Sequence, residues 1–305
     1  MGSALVSGLI GFPQWIGDRI QVVGPVCLIL RGREKECQTC LFTVGRRFAD
    51  SSLATGAQKI DTDGMKAIAV IPARLASTRL PRKMLRQIAG QTLLARVYKG
   101  VRSSPLLDSV IVATDSDEIM QHCRQQGWNA RMTSAAHRSG TERVREISDS
   151  VAADVYLNIQ GDEPLTRPEH IAALLDLMRD PHVQVGTLKT RASAEDIRNP
   201  NAVKVVTDAA GRALYFSRAT IPYDRDGANP GYFKHLGFYA YRKTALDRFC
   251  TLPESSLERS ERLEQLRFLE NGLSIHVAET PYDTVGVDTE EDLRRVESIL
   301  RQRQT

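Results

Sequence analysis

Residues 66–83 read KAIAVIPARLASTRLPRK, an apolar run from Lys66 to Ile71 that opens directly into the loop Ile71–Lys83. A buried parallel strand reads as continuous apolar sequence, and the loop at its carboxyl end lies at the sheet edge where ligands bind. Three of the four cations in that loop, Arg74, Arg79 and Lys83, carry enough charge to neutralise a polyphosphate. Ala73 and Ala76 keep the backbone within reach of a ligand, and Ser77 and Thr78 supply hydroxyl donors. A solvated basic loop is the competing account of such a charge run; the position after a strand favours the ligand-binding one.

From Met65 onward apolar runs alternate with helical periods. Strands are expected at Lys66–Ile71, Ser109–Thr114, near Ala130, and at Val155–Ile159, Val185–Lys189, Lys234–Tyr241 and Ser274–Glu279. Helices are expected at Thr92–Arg102, Asp117–Gln126 stopped by Gly127, Thr141–Val151, from Pro168 behind Thr166, Lys243–Thr251, Leu257–Glu270, and from Thr289 to about Gln302 with Asp292 completing a capping box. Val203–Thr207 and Ala213–Ser217 flank a turn and form a hairpin, an antiparallel section inserted into a mostly parallel sheet. The fold class is therefore α/β with a Rossmann-like sheet, and residues 65–305 form one domain with no internal repeat.

Composition narrows the function. With 305 residues, 42% of them hydrophobic and 26% charged, the chain is an ordinary soluble enzyme in make-up. A net charge of +4 with interspersed signs and 6% aromatics gives no nucleic-acid footprint. The apolar run Val22–Leu30 is broken by Gly24 and Pro25 and is too short to span a bilayer. No secretory signal pattern is present, so a cytoplasmic location is expected. Cys37 and Cys40 form a lone C-x-x-C without further ligands, which does not make a zinc site. Residues 1–64 lack any sustained period and are expected to be a disordered or non-native extension, with Met65 as the functional start.

Three further clusters lie beside strand ends. Gln160-Gly161-Asp162-Glu163-Pro164 offers hard oxygen ligands after a strand, and Mg²⁺ takes one or two protein carboxylates while phosphates and water fill the rest. A turn with helix-start acids explains the same residues equally well. Asp288 ends another short apolar stretch, where it either faces Asp162 or serves as a helix N-terminal charge. Ser139-Gly140-Thr141-Glu142-Arg143 opens a helix, as an ordinary cap or as a turn reading a base or phosphate. Lys204, Ser217, Arg218, His235, Tyr239, Glu264 and Gln265 are scattered polar residues of the kind an acidic sugar needs. His235 taken alone reads equally as a hydrogen-bonded structural histidine, and Gln265 as a solvated helix face.

Residues 66 to about 302 resemble the 3-deoxy-manno-octulosonate (Kdo) cytidylyltransferase family. The resemblance is carried by IPARLASTRLPRK, IVATD (111–115), HRSGTER (137–143), NIQGDEP (158–164), NPNAVKVV (199–206), ALYFSRATIPYDRD (213–226), KHLGFYAYR (234–242), LEQLRFLENG (263–272) and VGVDTEEDL (285–293). It implies a nucleotide-diphospho-sugar transferase fold, a homodimer, and the reaction of CTP with Kdo to give CMP-Kdo and pyrophosphate for lipopolysaccharide assembly. By the same resemblance Arg74 and Lys83 hold the triphosphate, with Ala73, Ser77 and Arg79 shaping the loop. Gln160 and Ser139, Gly140, Thr141 and Arg143 lie by the cytidine. Asp162 and Asp288 ligate Mg²⁺, and Arg218, His235, Tyr239, Glu264 and Gln265 face the acid sugar.

Two features depart from the family. Its loop often reads L-P-G-K-P, whereas Arg82 and Met84 stand here at the glycine and second proline, and it typically lacks the extension before Met65. Among alternatives, acylneuraminate cytidylyltransferases usually carry a glycine- and lysine-rich first loop unlike LASTRLPRK. An 8-amino-Kdo substrate and a non-catalytic nucleotide-binding protein are the other two; intact Asp162 and Asp288 argue against the last.

Overall fold

Strand β1, Ala67–Ala73, is buried along its whole length, which is why it reads as unbroken apolar sequence. It pairs in parallel with β2, Ser109–Thr114, on one side. Strand β3, Ala130–Met132, continues that side in parallel beyond β2, and β4, Val155–Ile159, lies in parallel on the other side of β1. The computed structural model describes residues 64–77 and 79–302, together with the backbone of two short strands, Gln21–Val22 and Leu28–Ile29. Two units are present, Met1–Ala57 and Gln58–Thr305. In the first, the two short strands pair antiparallel. The expectations on the remainder of residues 1–63, including Cys27, Cys37 and Cys40, and on Thr78 lie outside the described residues.

Beyond β4 the sheet changes sense. The hairpin of β6, Lys204–Thr207, and β7, Ala213–Ser217, meets the long strand β8, Phe233–Tyr241, at Lys204 opposite Lys234. The second half of β8 runs antiparallel to β4. Its other edge is antiparallel to β5, Val185–Arg191, with a register shift between Leu236 and Tyr239, and β9, His276–Glu279, closes that side parallel to β5. This is the mostly parallel sheet with an antiparallel insert that the sequence indicates.

Successive residues of β1 point to opposite faces, so Ala67, Ala69 and Ile71 pack with one set of helices and Ile68 and Val70 with another. The first set is α1 (Leu93–Arg102), α2 (Asp117–Gln125) and α4 (Pro168–Leu177). The second includes α3 (Gly140–Ser150), α6 (Lys243–Thr251) and α8 (Leu266–Glu270). Each fully buried Ile or Val side chain contributes about 1.5–3 kcal/mol relative to exposure. Side chains of Thr92, Ser116 and Ser139 accept the amide hydrogen bonds that start α1, α2 and α3, and Gly127 takes φ 69° after α2. A short helix α5, Ala194–Arg198, precedes β6.

Two expectations need correction in detail. The stretch expected as one helix over Leu257–Glu270 is two, α7 (Ser256–Glu261) and α8, broken at Arg262, which takes φ 54° without a glycine to mark it. Burial of Leu263, Leu266 and Phe268 turns the chain there, and Arg267 forks onto both oxygens of Glu258 at 2.7 and 2.6 Å to hold the two pieces. Helix α4 starts at Pro168 behind Thr166 as expected, and the Thr166 hydroxyl donates to Glu163 O at 2.7 Å. Gln265 is not on a solvated face but is 4% exposed.

The last helix α9, Glu290–Gln302, starts with the reciprocal Thr289 and Asp292 bonds of a capping box. Its Leu293 and Val296 join Leu80, Ile88, Leu93, Leu165 and Val287 in a small separate core. That core backs both the cationic loop, through Leu80, and the turn bearing Asp288, through Val287.

Candidate active site

The loops at the carboxyl ends of β1 and β4 meet the start of α3 and Asp288 around one cavity of about 340 Å³. Gly161 lets them meet: a Cβ there would lie 2.8 Å from Pro72 O and 2.9 Å from the Met84 sulfur. Met84, one of the two departures from the family loop, thus fills the space under the β4 turn. Arg82, the other, is the residue in left-handed conformation, φ 55° and ψ 34°, where glycine would be unstrained. Its guanidinium pairs with Glu118, and it lines neither this cavity nor its neighbour.

Two carboxylates from separate turns face each other. The Val287 amide donates to Asp162 O at 2.9 Å, tying the turn after β4 to the turn before α9. Lys83 Nζ then reaches both acids, Asp162 Oδ2 at 2.7 Å and Asp288 Oδ1 at 3.0 Å. Arg79 takes the remaining Asp288 oxygen at 2.9 Å. Burial pushes the Lys83 ammonium down from its ordinary pKa, but Asp162 and Asp288 more than reverse this, and the net direction is upward.

The rest of the cavity wall is cationic or polar. Arg74, half-buried, donates to the His137 carbonyl; burial, with Arg143 adding to it, holds its pKa below the ordinary value. Arg143 is fully buried and pairs with Asp115 and Thr133. Ser77 Oγ accepts the Leu80 amide at 3.4 Å and so helps to shape the loop. Gly140 and Gln160 line the opposite side, where a Cβ on Gly140 would come within 3.4 Å of the Gln160 amide nitrogen. Ala73 is fully buried in β1 and reaches the cavity through neither side chain nor surface.

A second cavity of about 510 Å³ shares Arg79, Asp162 and Asp288 as a wall. Its other cations, Lys234 and Arg295, are already paired, with Asp283 at 2.8 Å and Glu195 at 3.4 Å. Glu195, Asp196, Glu291 and Asp292 add further acidic side chains. Glu163 joins them with its carboxyl pushed up to about 8 by burial and by Asp162 beside it, and its Oε2 accepts from the Thr284 hydroxyl.

Of the residues assigned to the acid sugar, only His235 lines either of these two cavities. It is 9% exposed, hydrogen-bonded from Nε2 to Thr187 Oγ1 at 2.9 Å, and burial pushes its pKa down to about 3, so the ring is neutral. Tyr239 packs against it with ring centroids 5.4 Å apart. Glu264 accepts from Thr141 Oγ1 at 2.9 Å, which joins the sugar set to the Ser139–Arg143 turn. Its second oxygen is buried without a hydrogen-bond partner. Arg218 donates to the carbonyls of Glu261 at 2.7 Å and Pro200 at 3.1 Å, and Lys204, fully buried, holds the Arg218 carbonyl at 2.7 Å.

Sequence reasoning passed over Asp115 as a site residue and offered Glu163 only as a hard oxygen ligand beside Asp162. Asp115 follows β2 as Arg74 follows β1, so the rule that ligands sit at strand carboxyl ends points to it. Nothing in the sequence marks the burial of Glu163. Among the described residues no group of three or more His, Cys, Asp or Glu side chains is placed to hold a metal, and no helix is long and apolar enough to cross a membrane.

Residues 68–275 match the cytidylyltransferase family. The chain is 68% identical over 258 residues to 3-deoxy-manno-octulosonate cytidylyltransferase of Koribacter versatilis (strain Ellin345), covering 84% of this chain and 98% of that one. It is 60% identical over 240 residues to the enzyme of the same name from Acidobacterium capsulatum, covering 78% and 98%. A solved structure of CMP:2-keto-3-deoxy-manno-octonic acid synthetase complexed with CTP superposes with a TM-score of 0.75 at 42% identity, over 78% of this chain and 99% of that one. A strand-end cationic loop facing paired carboxylates, on a sheet shared with these proteins, places the chain in the 3-deoxy-manno-octulosonate cytidylyltransferase family.

Proposed function

We propose that the protein couples CTP to 3-deoxy-manno-octulosonate, releasing pyrophosphate and forming the CMP-activated acid sugar for lipopolysaccharide assembly. The observation that carries this reading is the convergence of Asp162 and Asp288 on Lys83 at a cavity also lined by Arg74, Arg79 and Arg143. The anomeric hydroxyl of the sugar forms a bond to the α-phosphorus while the bond from that phosphorus to the β-bridging oxygen breaks. The hydroxyl proton goes to solvent and pyrophosphate departs. Such a displacement needs alignment and charge neutralisation rather than a protein nucleophile.

Arg74, Arg79 and Lys83 bind the triphosphate and stabilise the negative charge that accumulates on pyrophosphate. Gly140 and Gln160 face the nucleoside, the glycine keeping that wall thin. Glu264 Oε2, a buried acceptor without a partner among the described residues, suits a sugar hydroxyl, and Arg218, whose guanidinium donates to the carbonyls of Pro200, Glu261 and Arg262, suits the sugar carboxylate.

The donor set fits Mg²⁺. Asp162 and Asp288 already share one cation, the Lys83 ammonium, and two carboxylates with phosphate oxygens make up the hard-oxygen shell that Mg²⁺ prefers. When bound there, Mg²⁺ supplies charge neutralisation and polarisation at the reacting phosphate.

A screen for pyrophosphate release tests the reading. Release is expected with CTP, Kdo and Mg²⁺ together, and much less with ATP, GTP or UTP; absence of release with CTP and any acid sugar would refute it. The same screen with 8-amino-Kdo and an acylneuraminate identifies the sugar. A cytoplasmic location, a homodimer and a functional start at Met65 belong to the same proposal. Light scattering at twice the chain mass and full activity of a chain begun at Met65 are the results expected.

A further inference from the structure

We propose that Lys83 closes the Asp162–Asp288 pair to divalent metal while the nucleotide is absent, so that metal loads with the nucleotide and not before it. The inference rests on the reading that these two carboxylates are the metal ligands.

The ammonium occupies the point where the two carboxylates meet, 2.7 Å from Asp162 Oδ2 and 3.0 Å from Asp288 Oδ1. Arg79 covers the outward Asp288 oxygen at 2.9 Å. Both turns are held by their main chains, so the carboxylates do not leave the ammonium by a shift of the backbone. Asp162 O is bonded to the Val287 amide, and the Asp288 amide donates to Asp292. The Lys83 side chain is 10% exposed, so water screens the pair poorly, and a divalent ion brought to the same oxygens would face a like charge at contact distance. Lys83 also lines the cationic cavity, so an incoming triphosphate offers its ammonium a second anionic partner and leaves the two carboxylates open. The flexible four-carbon stem lets one lysine serve both positions.

A lysine serving only as a structural salt bridge would behave differently when replaced. Mn²⁺ is the probe, titrated into the full chain by the EPR signal of the free ion, with and without CTP and with no acid sugar, after subtracting a control of CTP alone. In the unaltered protein CTP is expected to strengthen Mn²⁺ binding by about tenfold or more. Without CTP, Lys83→Met is expected to bind Mn²⁺ about tenfold more tightly than the unaltered protein. The factor by which CTP and Mn²⁺ strengthen each other should shrink correspondingly, measured from either side. Lys83→Gln, which keeps a polar tip between the acids, repeats the measurement should the methionine disturb folding.

The proposal is overturned if both variants bind Mn²⁺ no better than the unaltered protein in the absence of CTP, or if CTP leaves Mn²⁺ binding to the unaltered protein unchanged. Asp162→Asn separates the two readings. Retained CTP-dependent Mn²⁺ binding in that variant removes the metal site itself, whereas its loss alongside an unresponsive Lys83→Met removes only the closure.

Discussion

The two cavities that meet at Arg79, Asp162 and Asp288 differ in size one way and in charge the other. The smaller, about 340 Å³, sets Arg74, Arg79, Lys83 and Arg143 against two carboxylates. The larger, about 510 Å³, sets Arg79, Lys234 and Arg295 against seven acidic side chains, of which Glu163 is largely protonated at neutral pH. Volume alone would send the nucleotide to the larger space. Electrostatics favours the smaller, because a triphosphate entering the larger meets seven acidic side chains, against two in the smaller. The wall shared by both is the proposed meeting place of triphosphate and metal.

That contrast can be broken by mutation, the largest effect first. Asp162→Asn or Asp288→Asn should lower turnover by roughly 10³-fold or more, measured by pyrophosphate release, with secondary structure kept. Near-normal turnover in either variant would take the shared wall out of the chemistry. On the cationic side, Arg74→Ala should raise the KM for CTP by about 10–100-fold, as expected for losing a charge-assisted contact. On the acidic side, Arg295→Ala should change it by less than about threefold, since Arg295 is half exposed and paired to Glu195. Equal effects of the two arginine changes would erase the distinction between the cavities.

Two smaller effects sharpen it. Glu163 has a folded pKa of about 8 against an ordinary value of 4.5, so between these the folded chain keeps a proton that the unfolded chain has lost. The Glu163 contribution to stability of the ligand-free protein should therefore fall as pH rises across that window, opposed below pH 6.5 by the lowered pKa of His235. The net fall is expected above about pH 6.5, and Glu163→Gln should flatten it; melting temperatures at pH 5, 6, 7 and 8 read this out. Arg82→Gly should raise stability by at most about 1 kcal/mol by relieving its left-handed backbone, less whatever the exposed pair with Glu118 contributes. A denaturant midpoint that drops instead would mean the arginine stabilises the loop by more than its conformation costs.

How much of this was legible in the sequence depends on distance along the chain. Strands β1, β2 and β4 were readable because burial on both faces leaves unbroken apolar runs, and the Thr289–Asp292 cap because its signal spans four residues. The break at Arg262 was not, since Leu257–Glu270 keeps a helical period straight through a left-handed residue that no glycine announces. The paired carboxylates could be nominated but not brought together, because their meeting point is set by a lysine and a main-chain hydrogen bond from distant segments. The neutrality of His235 and of Glu163 follows from burial, which one-dimensional sequence does not carry.

Leu80 and Val287 share their small apolar cluster with Leu293 and Val296 of the terminal helix. One greasy rivet thus clamps the cationic lip and the acid-bearing turn to a single terminal helix. Trimming a methyl group at Val296, which touches no reactant, would slacken both jaws at once. A defect there would masquerade as failed chemistry in a protein whose reacting groups are all intact.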